Sequence, residues 1–523
     1  MVNLVKQLVG TPYLTRQPIP NVQVSFDQSP DNARSESSLV VNPKNYLNMV
    51  GASKRFTDPS KYQFSLVAYA SHNGGLNWQE TLLVPPGSDF TSDPTVTYDD
   101  VGNAYVMGMM WHDSTKNRVF SGLAVYKSTD GGATWSNPNV IYTVHAPDKQ
   151  TIAGDMTPSS PHHGNLYAAW DSSNGLEFGR SKDHGATWIG LRQAGVDQAI
   201  GSQLVTGGVF ASISVAASGK VYIFYLVPLQ GGSNIDVITS SDGGDTFSAP
   251  ATVVTGLTVV PDKLPGGQFR LETIPTSCVS GTDVVVAWPD FRNSVSQVFY
   301  RRSNNAGATW LGPGDGDLLT ASAPTPTGRH DFMPQLAAVG NEIGCCFCEF
   351  GPHGGKSLIE VVTVVSTDSG ATFDKRLTVT DQPWDPTIDA PIAGGTTRFI
   401  GDYFGFAAGP TGFFPFWTDT RTGIQEIFTS RVFLTADPAP FYATWMQILF
   451  GVVEDGGGIA IVGGHIVRIP PRGPEIEMLN AIVVAEAAKS IPGAEGKTAR
   501  KAALRAVVKI ATKAATIATK AVR

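Results

Sequence analysis

The chain has 523 residues, 42% of them hydrophobic and only 16% charged, with 56 glycines and 35 prolines. So much apolar and so little charged material excludes a disordered chain, and the glycines and prolines would interrupt the helices of a mainly helical enzyme. A net charge of −7 argues against nucleic acid as a partner of the whole molecule.

The first twenty residues, MVNLVKQLVGTPYLTRQPIP, hold one lysine in a broken apolar stretch and do not read as a signal peptide. No uninterrupted apolar run reaches the length of about 18 residues that a membrane span needs. The expected location is therefore cytoplasmic, or extracellular by a non-classical route.

Two patterns then alternate along the chain. The first is a strand, a glycine-containing turn and a second strand, as in SSLVVNPKNYLNMVGAS from Ser37, ASISVAASGKVYIFYL from Ala211 and GDYFGFAAGPTGFFPFWTD from Gly401. Seven such units start near 37, 93, 155, 210, 270, 333 and 400. The second is an eight-residue box, S-x-[DN]-x-G-x-[TN]-[WF], beginning at Ser71, Ser128, Ser181, Ser240, Ser303 and Ser366. The Asp or Asn is expected to accept from backbone N–H groups two residues on and close a turn. The glycine at the fifth position is expected to take a positive φ. The closing aromatic (Trp78, Trp135, Trp188, Phe247, Trp310, Phe373) is expected to pack beneath the hairpin and seal neighbouring units.

One unit plus one box makes a four-stranded blade, and blades repeated around an axis make a β-propeller. The favoured count is seven blades, with six as the alternative. The seventh unit ends at QEIFTSRVFL without a box, so its outermost strand is expected from the N-terminal segment NVQVSFD at Asn21. Such closure would remove the open sheet edges.

In a propeller the innermost strands converge on a central channel, and the residues that open each unit line one mouth. Three arginines fall there, Arg270, Arg329 and Arg398, with Arg34 as a fourth candidate. Converging guanidinium forks suit an anionic sugar. His112 and His330 could also line the mouth. His162 and His163, adjacent in SPHHGN, make poor joint metal ligands, and no cofactor or metal site is expected. Cys345, Cys346 and Cys348 in GCCFCEF, with the distant Cys278, read as buried thiols on alternate strand faces. Two W-x-D-x-R strings, at Trp288 and Trp417, recur at equivalent blade positions and read as structural Asp–Arg pairs.

The boxes resemble the Asp-box, or BNR, repeat of the sialidase (neuraminidase) superfamily, over roughly residues 20–435. That resemblance implies a glycoside hydrolase of exo-α-sialidase type that holds a terminal acidic sugar with three arginines, here Arg270, Arg329 and Arg398. It further implies a tyrosine nucleophile, Tyr403, helped by Glu272, with Asp93 or Asp331 as the proton donor. A neutral tyrosine avoids repulsion with an anionic substrate. The early (F/Y)RIP motif of that family is absent, and its sialidases have six blades where seven are expected here. A carbohydrate- or protein-binding propeller without catalysis is the alternative, and a lyase using Tyr and His on acidic polysaccharide is a third.

The all-β propeller is thus expected over residues 1–435, followed by a small α+β, mainly helical module over 436–523. That module would hold a hairpin across Gly463-Gly464, a helix in EIEMLNAIVVAEAAKS and a last, basic amphipathic helix. From Lys497 to Arg523 there are eight basic residues and no acidic ones. Such a helix could dock on a protein partner or an anionic surface.

Overall fold

The computed structural model describes residues 21–432, apart from short stretches at 27–31, 59–62, 88–89, 115–116, 394–396 and 411, together with 458–462 and 465–469. Among the described residues lie seven four-stranded antiparallel sheets. The first is Arg34–Val41, Met49–Asp58, Gln63–Ser71 and Gln79–Leu82. The next five repeat that order, with first strands Phe90–Tyr98, Asp148–Gly154, Val209–Val215, Thr276–Ser280 and His330–Val339. The seventh is Gly405–Gly409, Gly412–Asp419 and Glu426–Thr429. Its fourth strand is Val22–Gln23, with Val22 opposite Thr429 and Gln23 opposite Phe428. Each first strand touches the first strands of both neighbouring sheets, so these seven form a closed inner ring. The protein is a seven-bladed β-propeller, closed by its N-terminal segment.

Both faces of every blade are covered, so the middle strands are nearly continuous apolar runs in which successive residues serve opposite neighbours. Tyr105 and Met107 pack towards Leu166 and Trp170 of the third blade, while Val106 packs towards Val50 and Leu66 of the first. GCCFCEF behaves in the same way. Cys345 joins the core shared with the fifth blade, and Cys346 and Cys348 join the core shared with the seventh. All four cysteines are buried, free thiols, and burial raises each above its ordinary value.

The six boxes share one geometry. The first-position serine hydroxyl accepts the fifth-residue N–H at 2.8–2.9 Å. The third-position Asp or Asn accepts the seventh-residue N–H at 2.8–3.0 Å, four residues on rather than two. Both the fourth and the fifth residues are left-handed, with φ of 55–73° and 78–94°. The fourth-residue carbonyl turns outward and accepts a side chain of the preceding blade in all six. The donors are Asn48 to Gly131, Lys127 and Tyr105 to His184, Arg180 to Gly243, Lys220 and Tyr222 to Ala306, Arg302 to Ser369, and Arg431 to Gly74. Closing aromatics pack on that same preceding blade, as Trp78 does on Phe416 and Phe373 on Tyr300. Each box is therefore a latch between blades as well as a turn.

The W-x-D-x-R strings form the structural pairs expected of them. Asp290 accepts from Trp288 and Arg292 at 3.2 and 2.6 Å, and Asp419 from Trp417 and Arg421 at 3.0 and 2.7 Å. Further along the chain Gly458–Val462 pairs antiparallel with His465–Ile469, Val462 opposite His465, as the Gly463-Gly464 turn predicts. The helices expected after it lie outside the described residues.

Candidate active site at the channel mouth

The seven inner strands run in one direction, so their first residues gather at one mouth. In five of them the ladder skips a step near the start, between Ser35 and Ser38, Ser92 and Thr95, Asp148 and Thr151, Val209 and Ser212, and Phe332 and Gln335. Within each bulge one non-glycine residue is left-handed: Glu36 (φ 53°), Asp93 (54°), Lys149 (37°), Phe210 (58°) and Met333 (52°). Such a backbone costs about 1–3 kcal/mol per residue and persists where the surroundings impose it. In the first three blades it carries two acids and a lysine.

Lys54, from the second strand of the first blade, joins the two acids. Its Nζ lies 2.6 Å from Glu36 Oε2 and 3.4 Å from Asp93 Oδ1, and 4.6 Å from the ring centres of both Phe64 and Phe399. Burial, and then the Asp93 charge, push the Glu36 carboxyl well up, with Lys54 opposing. Burial also works to raise Asp93, but Lys54, the Ser92 hydroxyl and Lys149 outweigh it and hold the group below its usual range. The two neighbouring acids are thus pushed in opposite directions, Glu36 up and Asp93 down.

Tyr403 stands beside them. Gly401 (φ 96°) brings the seventh-blade loop against the first blade so closely that a Cβ there would lie 2.9 Å from the Glu36 nitrogen. The Tyr403 hydroxyl is buried without a hydrogen-bond partner among the described residues. The Lys149 ammonium sits 3.8 Å from the ring centre. Burial first, then Glu36, Asp93, Asp402 and Asp148, raise the phenol well above its ordinary value.

On the far side the segment before the fifth blade pairs with the one before the seventh. Arg270 N–H donates to Arg398 O, and Arg398 N–H to Gln268 O, both at 3.0 Å. The Arg270 guanidinium makes two hydrogen bonds to Asp402, one of them Nε to Oδ1 at 3.1 Å, and lies 5.0 Å from the Phe399 ring centre. Arg398 Nη1 donates to Thr387 O at 2.8 Å. Glu272 is pushed up to about 7 by burial and Asp402, against Arg270. Asp148 rises to about 6 through burial and Asp93, and Asp171 to about 7 mainly through burial.

Tyr403, Asp93, Glu272 and Arg270 are thus linked through Asp402 and Asp148 at one mouth, whereas Arg398 meets Arg270 through its backbone and turns its guanidinium to Thr387 O. Arg329 does not join them. Its guanidinium is held by Glu349 Oε1 at 2.6 Å, by Glu360 and by Pro352 O at 3.3 Å, all within the sixth blade. Asp331, fully buried and bonded by the Thr325 hydroxyl, couples to Glu349, Arg376 and Arg329 instead of to Tyr403. Arg34 is buried in a two-pronged bond to Glu80 at 2.8 and 3.0 Å. Among the acids, Glu36 and not Glu272 acts most strongly on Tyr403. His330 accepts the Ser296 N–H at 3.1 Å, a structural bond. Glu36, Lys54, Asp148, Lys149 and Asp402 were missed in the sequence. Laying the first strands of the units side by side would have shown charged residues at 36, 93 and 149 in register.

No protein-family model and no curated protein matches the chain. Solved structures resemble it in fold. A protein of unknown function from Dyadobacter fermentans matches at 15% identity over 68% of this chain and 100% of its own, with a TM-score of 0.43. The intramolecular trans-sialidase of Ruminococcus gnavus matches at 15% identity over 63% of this chain and 92% of its own, also at 0.43. Trypanosoma rangeli sialidase in complex with 2,3-difluorosialic acid matches at 12% identity over 79% and 75%, with a TM-score of 0.41. The fold assignment rests on the seven sheets themselves.

Proposed function

We propose that the protein is a glycan-active propeller of the Asp-box, exo-sialidase kind, hydrolysing a terminal acidic sugar at the channel mouth. The observation that carries this reading is Tyr403: a buried hydroxyl without a hydrogen-bond partner among the described residues, beside Glu36, whose carboxyl burial pushes up, and Asp93, which Lys54 and Ser92 hold down. An unpaired buried hydroxyl costs about 1–3 kcal/mol and needs a reason to be retained. In the proposed step the Tyr403 oxygen bonds to the anomeric carbon as the glycosidic C–O bond breaks. The phenol proton passes to Asp93, and Glu36 gives its proton to the leaving oxygen. Water then reverses the sequence, giving retention overall. The Lys149 ammonium over the ring stabilises the phenolate character that develops.

Substrate carboxylate binding falls to Arg270 and Arg398, and the incoming group takes Asp402's place on Arg270. Glu272 is the second proton reservoir. The C-terminal module, with its basic last stretch, serves as a docking or export element.

A second reading, a glycan-binding propeller without catalysis, is favoured by three ion pairs: Arg270 already holds Asp402, and Arg329 is held by Glu349 and Glu360. Release of fluorophore from a 4-methylumbelliferyl sialic-acid substrate separates the two. Turnover by the wild type that is lost in Tyr403→Phe and weakened at least tenfold in Arg270→Ala supports the hydrolase. A folded wild type that binds acidic glycans without turning this substrate over supports the second reading.

A further inference from the structure

Away from the mouth, between the second and third blades, four titratable side chains converge. Asp99 and Asp100 lie in the turn after Phe90–Tyr98, His184 is the fourth residue of the third box, and His163 lies in the turn after Asp148–Gly154. His184 Nδ1 is 2.9 Å from Asp99 Oδ2 and 3.7 Å from Asp100 Oδ1, and His163 Nδ1 is 2.7 Å from Asp100 Oδ2. The ligand atoms of Asp99, Asp100 and His184 all lie within 4.8 Å of one another.

Asp99 has an ordinary job. It closes its turn by accepting the N–H groups of Val101 and Asn103 at 3.1 and 2.8 Å, and the Tyr105 hydroxyl and Asn103 amide fix its other oxygen at 2.8 and 2.6 Å. Asp100 closes no such turn, and His163 Nδ1 meets its Oδ2 at 2.7 Å. It is only 7% exposed, and its Oδ1 is buried yet accepts no hydrogen bond among the described residues, facing His184 from 3.7 Å. A buried carboxylate oxygen aimed at an imidazole nitrogen and left without a donor is placed as a cation ligand. Glycine at 164 keeps the approach open, since a Cβ there would lie 2.9 Å from that oxygen and 2.8 Å from His184 Cε1.

We propose that Asp99, Asp100 and His184, with His163 adjoining, form a binding site for a divalent transition ion of the zinc class that staples the second blade to the third. Tetrahedral zinc places its ligands about 3.3 Å from one another, close to the separations here. Imidazole mixed with carboxylate suits zinc, whereas calcium requires six or more oxygens. On binding, the metal takes the Nδ1 lone pair of neutral His184, whose single ring proton then sits on Nε2. Tyr105 and Asn103 orient the Asp99 carboxylate from behind. The half-buried His184 and the exposed His163 border the site and give the ion a way in.

The test is calorimetric titration of Zn²⁺ into the full-length, untagged protein after stripping with a chelator. One ion per chain is expected, with Asp100→Asn and His184→Ala each weakening binding at least tenfold. His184→Ala is tolerated by the backbone, because Ala306 occupies the same left-handed box position in the fifth blade. His162→Ala, beside the site but outside it, should bind as the wild type does. Zn²⁺ should also raise the apparent unfolding temperature of the wild type by a few degrees and leave that of Asp100→Asn unmoved. A folded wild type that takes up no stoichiometric Zn²⁺, or uptake retained in both variants, overturns the proposal.

Discussion

The Arg431 guanidinium donates to the Gly74 carbonyl at 2.8 Å across 357 positions of sequence. It ties the end of the last blade to the box of the first, and so closes the ring from outside as Val22–Gln23 closes it from within the sheet. The same guanidinium lies 4.8 Å from the Phe414 ring centre, wholly enclosed, and burial pushes its pKa down to about 9.

Replacing Arg431 by Ala should therefore destabilise the propeller by about 2–4 kcal/mol, from a cavity and an unsatisfied carbonyl. Urea unfolding would show it. Lys127→Ala should cost less, because Tyr105 still donates to the same His184 carbonyl at 2.8 Å.

Tyr403→Phe separates stability from chemistry. Its hydroxyl is buried without a partner among the described residues, so removing it should leave stability unchanged or raise it by about 1 kcal/mol. Turnover should fall by about a thousandfold or more, as loss of a nucleophile requires. A thermal melt and a fluorogenic assay on the same preparation measure both.

Gly401→Ala should do the reverse of a silent change. A Cβ at φ 96° and 2.9 Å from the Glu36 nitrogen forces apart the two segments that hold Glu36 and Tyr403. The expected cost is about 1–3 kcal/mol, with loss of turnover even though neither acid nor nucleophile is altered.

Stability should also depend on Asp331. Burial raises its carboxyl to about 8, far above the 3.8 of the unfolded chain, so between these values the native state binds more protons. Stability from this group is present at low pH and falls as pH rises towards 8. Asp331→Asn, which mimics the protonated form, should flatten that slope in urea titrations between pH 5 and about 8.

The blades were legible because each repeats two local signals, the glycine turn and the box, whose geometry needs only neighbouring residues. Ring closure was legible as well, since a seventh unit without a box leaves a strand to be supplied by Asn21 onwards. The mouth was less so. Bulges at Glu36, Asp93 and Lys149 shift the side-chain alternation, and no periodicity announces them. Arg329 shares the position of Arg270 in its unit, but Glu349 and Glu360 on neighbouring strands of its own blade draw it away. Those partners lie 20 and 31 residues on, beyond any local pattern.

In the proposed reaction the decisive step is attack by Tyr403 on a sugar at this mouth. Its most direct measurement is peptide-level mass spectrometry after incubation with a slow, fluorinated sialic-acid-type glycosyl donor. A glycosyl adduct on the peptide containing Tyr403, absent from Tyr403→Phe, is the predicted result. No adduct on a folded wild type, or an adduct carried by another residue, would contradict it.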